Sequence, residues 1–358
     1  MKRTGFLLLA IILLTYGYQG YTAVALYTND VLKVKTSGKL SDITDKVLPV
    51  PLEIPDTGLV RHVKKIRQDG DHLFLLSDNR LLRYNKQGKF IRQIAKEINE
   101  TGDTLIAEYL LNTERQQVLV VDSDRYISTY DYDGRLISKI RICQPWRKVS
   151  AIALHNGYLW VTAETLVVTN EDPNVCQIKH NLHQLDLQLN EISCHTLHTA
   201  SAGREKKFES SFVDELLADE QGVYAYSKVT DEKHLLHDTL HFVQQKKLPL
   251  LCQDAYSGMA CIYPIRKGKR FYMTTNCNNY SDHGFTFCYD DAKQTAYRLA
   301  DGFKDDFYKT GYVADLQPMD MYNDSYYFLK SGKDIARKYA KQVKNPDSPV
   351  LFILKLNV

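Results

Sequence analysis

Short apolar runs, four to six residues long and separated by polar turns, recur along the chain from residue 63 onward. The first set is Leu73–Ser77 (LFLLS), Leu81–Tyr84 (LLRY), the turn Asn85-Lys86-Gln87-Gly88 and Phe90–Ile94 (FIRQI). The second is Val118–Asp122 (VLVVD), Ile127–Tyr130 (ISTY), the turn Asp131-Tyr132-Asp133-Gly134 and Leu136–Ile140 (LISKI). The two sets match almost position for position. Gly88 and Gly134 stand where a hairpin turn needs a positive φ. Four looser copies begin near Tyr158 (YLWVT), Val223 (VYAYS), Phe271 (FYMTT) and Tyr326 (YYFLK), at successive spacings of 45, 40, 65, 48 and 55 residues. Each copy is preceded by one more strand, such as Val63–Ile66 or Val149–Leu154. Units of four strands at this period predict the blades of a β-propeller.

The last copy has strands near Met319–Met321, Tyr326–Leu329 and Val350–Leu356, and no fourth follows. Val47–Ile54 (VLPVPLEI) is a spare strand ahead of the first copy. It is expected to complete the last blade, which closes the ring and removes unpaired edges. Pro49 and Pro51 cannot donate to a ladder, so they suit an outermost strand. The fold class is therefore all-β: a six-bladed propeller of four-stranded blades over residues 45–358, with the N-terminal strand closing the last blade. Two separate β domains are the alternative.

Composition adds to this picture at two points. Tyr, at 24 copies, fits pleated and half-buried surfaces. Lys plus Arg is 46 against 43 Asp plus Glu, interspersed, so nothing electrostatic points to nucleic acid. The N-terminus carries Lys2 and Arg3, the ten-residue apolar run Gly5–Leu14, and Ala23-Val24-Ala25. This reads as a signal peptide over residues 1–25, followed by a lead-in over residues 26–44. The run is shorter than the ~20 residues of a membrane span. An uncleaved anchor is the other reading, and only then is the membrane a partner. The expected location is periplasmic or extracellular. The first cysteine is Cys143, so no lipid-bearing cysteine is expected at the mature N-terminus.

Beyond the pattern itself, the chain resembles the six-bladed β-propeller family widespread in Bacteroidetes, from about residue 45 onward. The resemblance rests on Val50-Pro51-Leu52-Glu53, the first-blade run Leu73–Ile94, Gly302-Phe303 with Asp305-Asp306, and Asn345-Pro346…Pro349-Val350-Leu351. Thr101–Tyr109 (TGDTLIAEY) departs from the Gly-rich segment usual in the family at this point, keeping Gly102 and Glu108-Tyr109. The resemblance implies a fold and an envelope location, and no established reaction.

In a propeller, the loops joining the second and third strands share a face with the loops that lead into the next blade. The second-to-third loops are short in blades one and two. They lengthen to about 163–177, 228–237, 276–284 and 331–349 in blades three to six, which marks that face for binding. Neutral drift of surface loops is the alternative. The candidate binding residues on this face are Glu108, Tyr109, Trp146, Arg147, Phe212, Tyr256, Asp282 and His283. Trp can stack on a sugar or peptide and Arg can clamp an anion. Equally, Trp146 can fill apolar space between blades, and Asp282 and His283 can belong to an ordinary polar turn.

His180/His183, His195/His198 and His234/His237 have HxxH spacing. Strand residues three apart point to opposite faces, so no metal is expected unless the chain bends, and no cofactor is expected. Asp131–Gly134 resembles the start of a calcium loop but reads better as a turn. Of seven cysteines, Cys277 with Cys288 and Cys252 with Cys261 are candidate pairs; free buried thiols are the alternative. GxSxG, HExxH, P-loop and GxGxxG motifs are absent from the sequence. A non-catalytic module binding a glycan, peptide or envelope protein is favoured over a hydrolase or lyase at the central channel.

Overall fold

The computed structural model describes residues 35–357 apart from 55–59, 61, 97–104, 124, 143, 145, 169–174, 204–212, 221, 231–235, 243–246, 253–258, 268–269, 278–284, 291–294, 314–315, 334 and 336–347. The signal segment and the lead-in up to residue 34 lie outside them.

The described residues form six sheets in chain order, antiparallel except for one added parallel strand, and these are the blades of a six-bladed β-propeller. The lead-in contributes β1 (Lys35–Lys39), and β2 is Val47–Pro51. Blade one is β3 (Val63–Asp69), β4 (His72–Ser77), β5 (Arg80–Asn85) and β6 (Phe90–Lys96). Blade two is β7 (Ile106–Asn112), β8 (Gln117–Asp122), β9 (Tyr126–Asp131) and β10 (Leu136–Arg141). Blade three is β11 (Trp146–His155), β12 (Tyr158–Val168), β13 (Val175–Leu185) and β14 (Glu191–Gly203). Blade four is β15 (Val213–Asp219), β16 (Gly222–Thr230), β17 (Leu236–Phe242) and β18 (Lys247–Cys252). Blade five is β19 (Met259–Lys267), β20 (Arg270–Cys277), β21 (Phe285–Asp290) and β22 (Thr295–Lys304), joined by β1 and by β23 (Tyr312–Val313). Blade six is β24 (Gln317–Asp320), β25 (Ser325–Ser331) and β26 (Pro349–Lys355), with β2 as its outermost strand.

Burial follows position in the blade. The second strand is sandwiched between neighbouring blades, so both its faces are covered; from Leu73 to Ser77, β4 is buried without a break. That is why these strands read as continuous apolar runs. The outermost β10 leaves Leu136, Ile137 and Ile140 exposed. The core lies between blades. Ile66, Leu75 and Tyr84 of blade one meet Tyr327, Leu351 and Val50 of blade six. Phe74 and Leu76 meet Tyr109, Val118 and Val120 of blade two. Leu110 and Val121 meet Trp146, Ile152 and Val161 of blade three. Each fully buried side chain of this size contributes roughly 1.5–3 kcal/mol.

Closure is built as expected, with Val47↔Leu354 through Pro51↔Val350 antiparallel. Beyond β2 the chain rests on blade one, where Glu53 N–H donates to the Gly88 carbonyl (2.8 Å) and Phe90 N–H to Glu53 Oε2 (2.8 Å). The Val50–Glu53 segment thus joins the last blade to the first. Asp305 organises the other marked segment. Its carboxylate is 1 % exposed and accepts the amides of Phe307, Tyr308 and Thr310 at 3.1, 2.9 and 3.0 Å. Asp306 accepts the Ser41 amide (3.1 Å), tying the lead-in to this turn.

Three third-to-fourth turns share one design. The side-chain oxygen of Asn85, Asp131 or Asp186 accepts two amides, two and four residues on, at 2.8–3.0 Å. The fourth residue then takes a positive φ: Gly88 (82°), Gly134 (76°) and Leu189 (69°). The Asp131 segment is accordingly a carboxylate-capped turn.

Two expectations are corrected. The segment 163–177 is largely ladder, since β12 and β13 stay paired out to Val168↔Cys176. The run Thr165-Leu166-Val167-Val168 is apolar and β-branched, which favours continuing the strand. Cys277 and Cys288 do not oppose each other, because the register sets Tyr272↔Cys288 and Met259↔Cys277. The offset is five residues, or about 17 Å along the strand, beyond the ~7 Å Cα limit of a disulfide. Cys252 lies in the outermost strand of blade four and Cys261 in the innermost strand of blade five.

Candidate functional site

The innermost strands β3, β7, β11, β15 and β24 surround a cavity of about 640 Å³. It opens toward the turns that join first and second strands: Gly70, Thr113–Arg115, Asn156-Gly157 and Tyr322-Asn323 all line it. This is the mouth opposite the face marked by loop length. The inner strands end at tight turns, and the polar residues of those turns ring the mouth of the channel.

Charge at the cavity is balanced among the described residues. Lys65, Arg67 and Arg115 face Asp69, Glu114 and Asp320. The deeper groups are already engaged. Lys65 Nζ donates to Glu108 Oε2, with both side chains mostly buried, and Arg67 Nη2 lies 3.9 Å from Glu108 Oε1. Arg67 Nε donates to the Tyr109 carbonyl (3.1 Å), and Asp69 accepts the Tyr132 hydroxyl (2.7 Å). Nearer the mouth stand Gln68, Asn112, Asn156 and Asn323, amides able both to donate and to accept, while Gln317, at the far end of β24, accepts the Tyr327 hydroxyl.

Tyr322 is the unusual feature. It sits on the 3-10 turn Met321–Asn323 of blade six and reaches blade three across the mouth. Its ring lies nearly parallel to that of His155 and end to end with it (centroids 6.4 Å apart, planes 17° apart). Its hydroxyl lies 2.9 Å from His155 Nδ1 and donates to the Leu154 carbonyl at 3.3 Å. Asp320 fixes the turn by accepting the Tyr322 amide (3.1 Å) and the Asn323 side-chain amide (2.6 Å). Tyr322 remains 44 % exposed, a wide aromatic surface beside the cavity.

The residues marked by sequence do not gather at one place. Glu108 lies inside the ring, paired as above. Tyr109 is fully buried between blades one and two, where its hydroxyl donates to the Phe74 carbonyl (2.7 Å) and Arg67 lies over its ring. Burial pushes its phenol well above the ordinary range. Trp146, 2 % exposed, packs between blades two and three with its ring 4.4 Å from His183. That is the space-filling role, for which a large apolar ring at the start of an inner strand is suited. Neither ring offers a surface to a ligand. Arg147 lies in β11, but its side chain is outside the described residues, as are Phe212, Tyr256, Asp282 and His283. Sequence reasoning passed over His155, Tyr322, Gln68 and Asn112 because they flank short turns. The Asn156-Gly157 pair, a strong hairpin signal, marked one of these turns.

Tyr109→Phe removes one buried hydrogen bond and keeps the ring. It is expected to lower stability by about 0.5–1.5 kcal/mol, read as a shift in urea midpoint with unchanged slope.

Fold and cavity together define a β-propeller with a central channel of mixed polar and apolar lining. A family model described as 6-bladed beta-propeller matches residues 24–213, more than half of the chain, and the chain belongs to that family. Among solved structures, it is similar to a Bacteroides fragilis protein described as exported, with TM-score 0.62 and 14% identity over 91% of this chain and 99% of that one. A Bacteroides caccae protein of unknown function gives TM-score 0.43 at 11% identity, covering 72% of this chain and 82% of that one. No curated protein matches the sequence. Among the described residues no helix is long and apolar enough to cross a membrane.

Proposed function

We propose that the chain is a non-catalytic binding module of the bacterial envelope, taking a neutral oligosaccharide at the short-turn mouth of its channel. The observation that carries this is the lining of the mouth. An exposed aromatic face, that of Tyr322 beside His155, stands with side-chain amides and equal numbers of positive and negative groups. Hydroxyl-rich ligands need donors and acceptors in alternation, and a flat ring to cover their apolar faces. A balanced lining gives a strongly charged ligand no advantage. Envelope location draws on the Lys2-Arg3 and Gly5–Leu14 pattern and on the B. fragilis neighbour described as exported. This places the site on the opposite face from the long loops, which the described residues do not complete.

Titration of the purified chain against neutral oligosaccharides by calorimetry tests it. Tyr322→Ala and Gln68→Ala are each expected to weaken binding at least about tenfold, the loss of one good contact of ~1.4 kcal/mol. Binding that survives both variants, or that prefers charged peptides, overturns the reading. A hydrolase or lyase is the second reading, favoured by the Lys65–Arg67–Glu108 cluster inside the ring. Turnover of a sugar or lactone that is abolished by Glu108→Gln in a folded variant would establish it instead.

A further inference from the structure

On the outer half of blade three, away from the channel, the structure assembles a nitrogen, a sulfur and an oxygen donor. Strands β13 and β14 are joined by the capped turn at Asp186, and their register sets His183 directly opposite Cys194. A bulge at Gln184/Leu185 shifts the ladder and brings Glu191 to the same place. His183 Nδ1 lies 2.6 Å from Glu191 Oε2. One ligand atom from each of His183, Glu191 and Cys194 lies within 4.8 Å of the other two. Donors bound to one tetrahedral zinc at about 2.0–2.3 Å are about 3–4 Å apart, so the three need only small side-chain adjustment.

We infer that His183, Glu191 and Cys194 form a binding site for a zinc-like divalent transition metal, with a fourth position open to water. Thiolate, imidazole and carboxylate together suit a borderline-soft ion better than calcium or magnesium, which select oxygen. The site is half preorganised. His183 is buried, the Trp146 indole packs on its ring at 4.4 Å, and its Nδ1 faces Glu191. Glu191 and Cys194 are exposed, so the ion has a path in and the carboxylate has room to swing. Binding breaks the Cys194 S–H bond and forms a metal–sulfur bond; the proton goes to solvent.

The test is cobalt(II) titration of the reduced full-length chain, followed by competition with zinc. One equivalent of cobalt is expected to bring up thiolate-to-metal charge transfer in the near ultraviolet, and zinc should bleach it. Cys194→Ser is expected to remove that band, and His183→Gln to weaken cobalt binding more than about tenfold. Cys194 is exposed, so its serine variant should keep the wild-type circular dichroism and serve if His183→Gln fails to fold. A charge-transfer band that persists unchanged in Cys194→Ser, or the lack of any band in the wild-type chain, overturns the assignment.

Discussion

Gly88→Ala is expected to destabilise the fold by about 2–5 kcal/mol, far more than the same change at Gly134. Both residues hold the same turn position, at φ 82° and 76°, and a left-handed backbone costs a side-chain-bearing residue roughly 1–2 kcal/mol. What differs is the neighbour. A methyl on Gly88 would sit 2.1 Å from the Pro51 carbonyl oxygen and 2.9 Å from Val50 Cγ1. On Gly134 the nearest atom is the Gln93 carbonyl oxygen at 3.3 Å. The closing strand cannot stay docked on blade one and accommodate that methyl, which adds about 1–3 kcal/mol of overpacking. Chemical denaturation of both variants measures the difference. Equal losses would mean that the Val50–Glu53 segment does not rest on this turn.

Glu108→Ala should cost about 3–5 kcal/mol, since it removes the largely buried carboxylate that Lys65 and Arg67 both face inside the ring. The carboxylate also accepts the Tyr109 amide at 2.8 Å, so a buried donor loses its partner with it. Replacing the pair by Lys65→Met with Glu108→Leu is expected to recover most of the loss, because apolar side chains of similar volume remove both buried charges together. Unfolding of the single and double variants decides between this and independent roles: additive losses would show that the two side chains do not answer each other. The pair also bears on function. A group this engaged with its neighbour is poorly placed to greet a ligand, which directs attention to the mouth.

Several of the residues behind these results could be read from the chain. The six copies, the order of strands and the spare Val47–Ile54 segment were visible because each second strand is covered on both faces and so must be apolar throughout. Gly88 and Gly134 were legible because the turn geometry restricts the residue type. The hairpin turn at Asp186–Asn190 even contains the pairing of His183 with Cys194, once the turn is known to match those of blades one and two. The HxxH spacing pointed elsewhere, since it compares neighbours along one strand and not across a hairpin. The pairing of Cys277 with Cys288 failed for a related reason. Centring a hairpin on the midpoint of Cys277 and Cys288 assumes a symmetric turn, and the ladder instead sets Cys288 against Tyr272.

The sequence by itself determined the class of fold, the number of blades and the strand that closes the ring, since periodic burial and turn chemistry are local properties. Only the tertiary structure decided which side chains meet across blades. It sent Tyr109 and Trp146 into the seams and bound Glu108 to Lys65. It also carried Tyr322 of blade six across the channel to His155 of blade three, 167 residues away. Such contacts depend on how the ring closes, and no spacing along the chain encodes the distance between two inner strands that face each other across it.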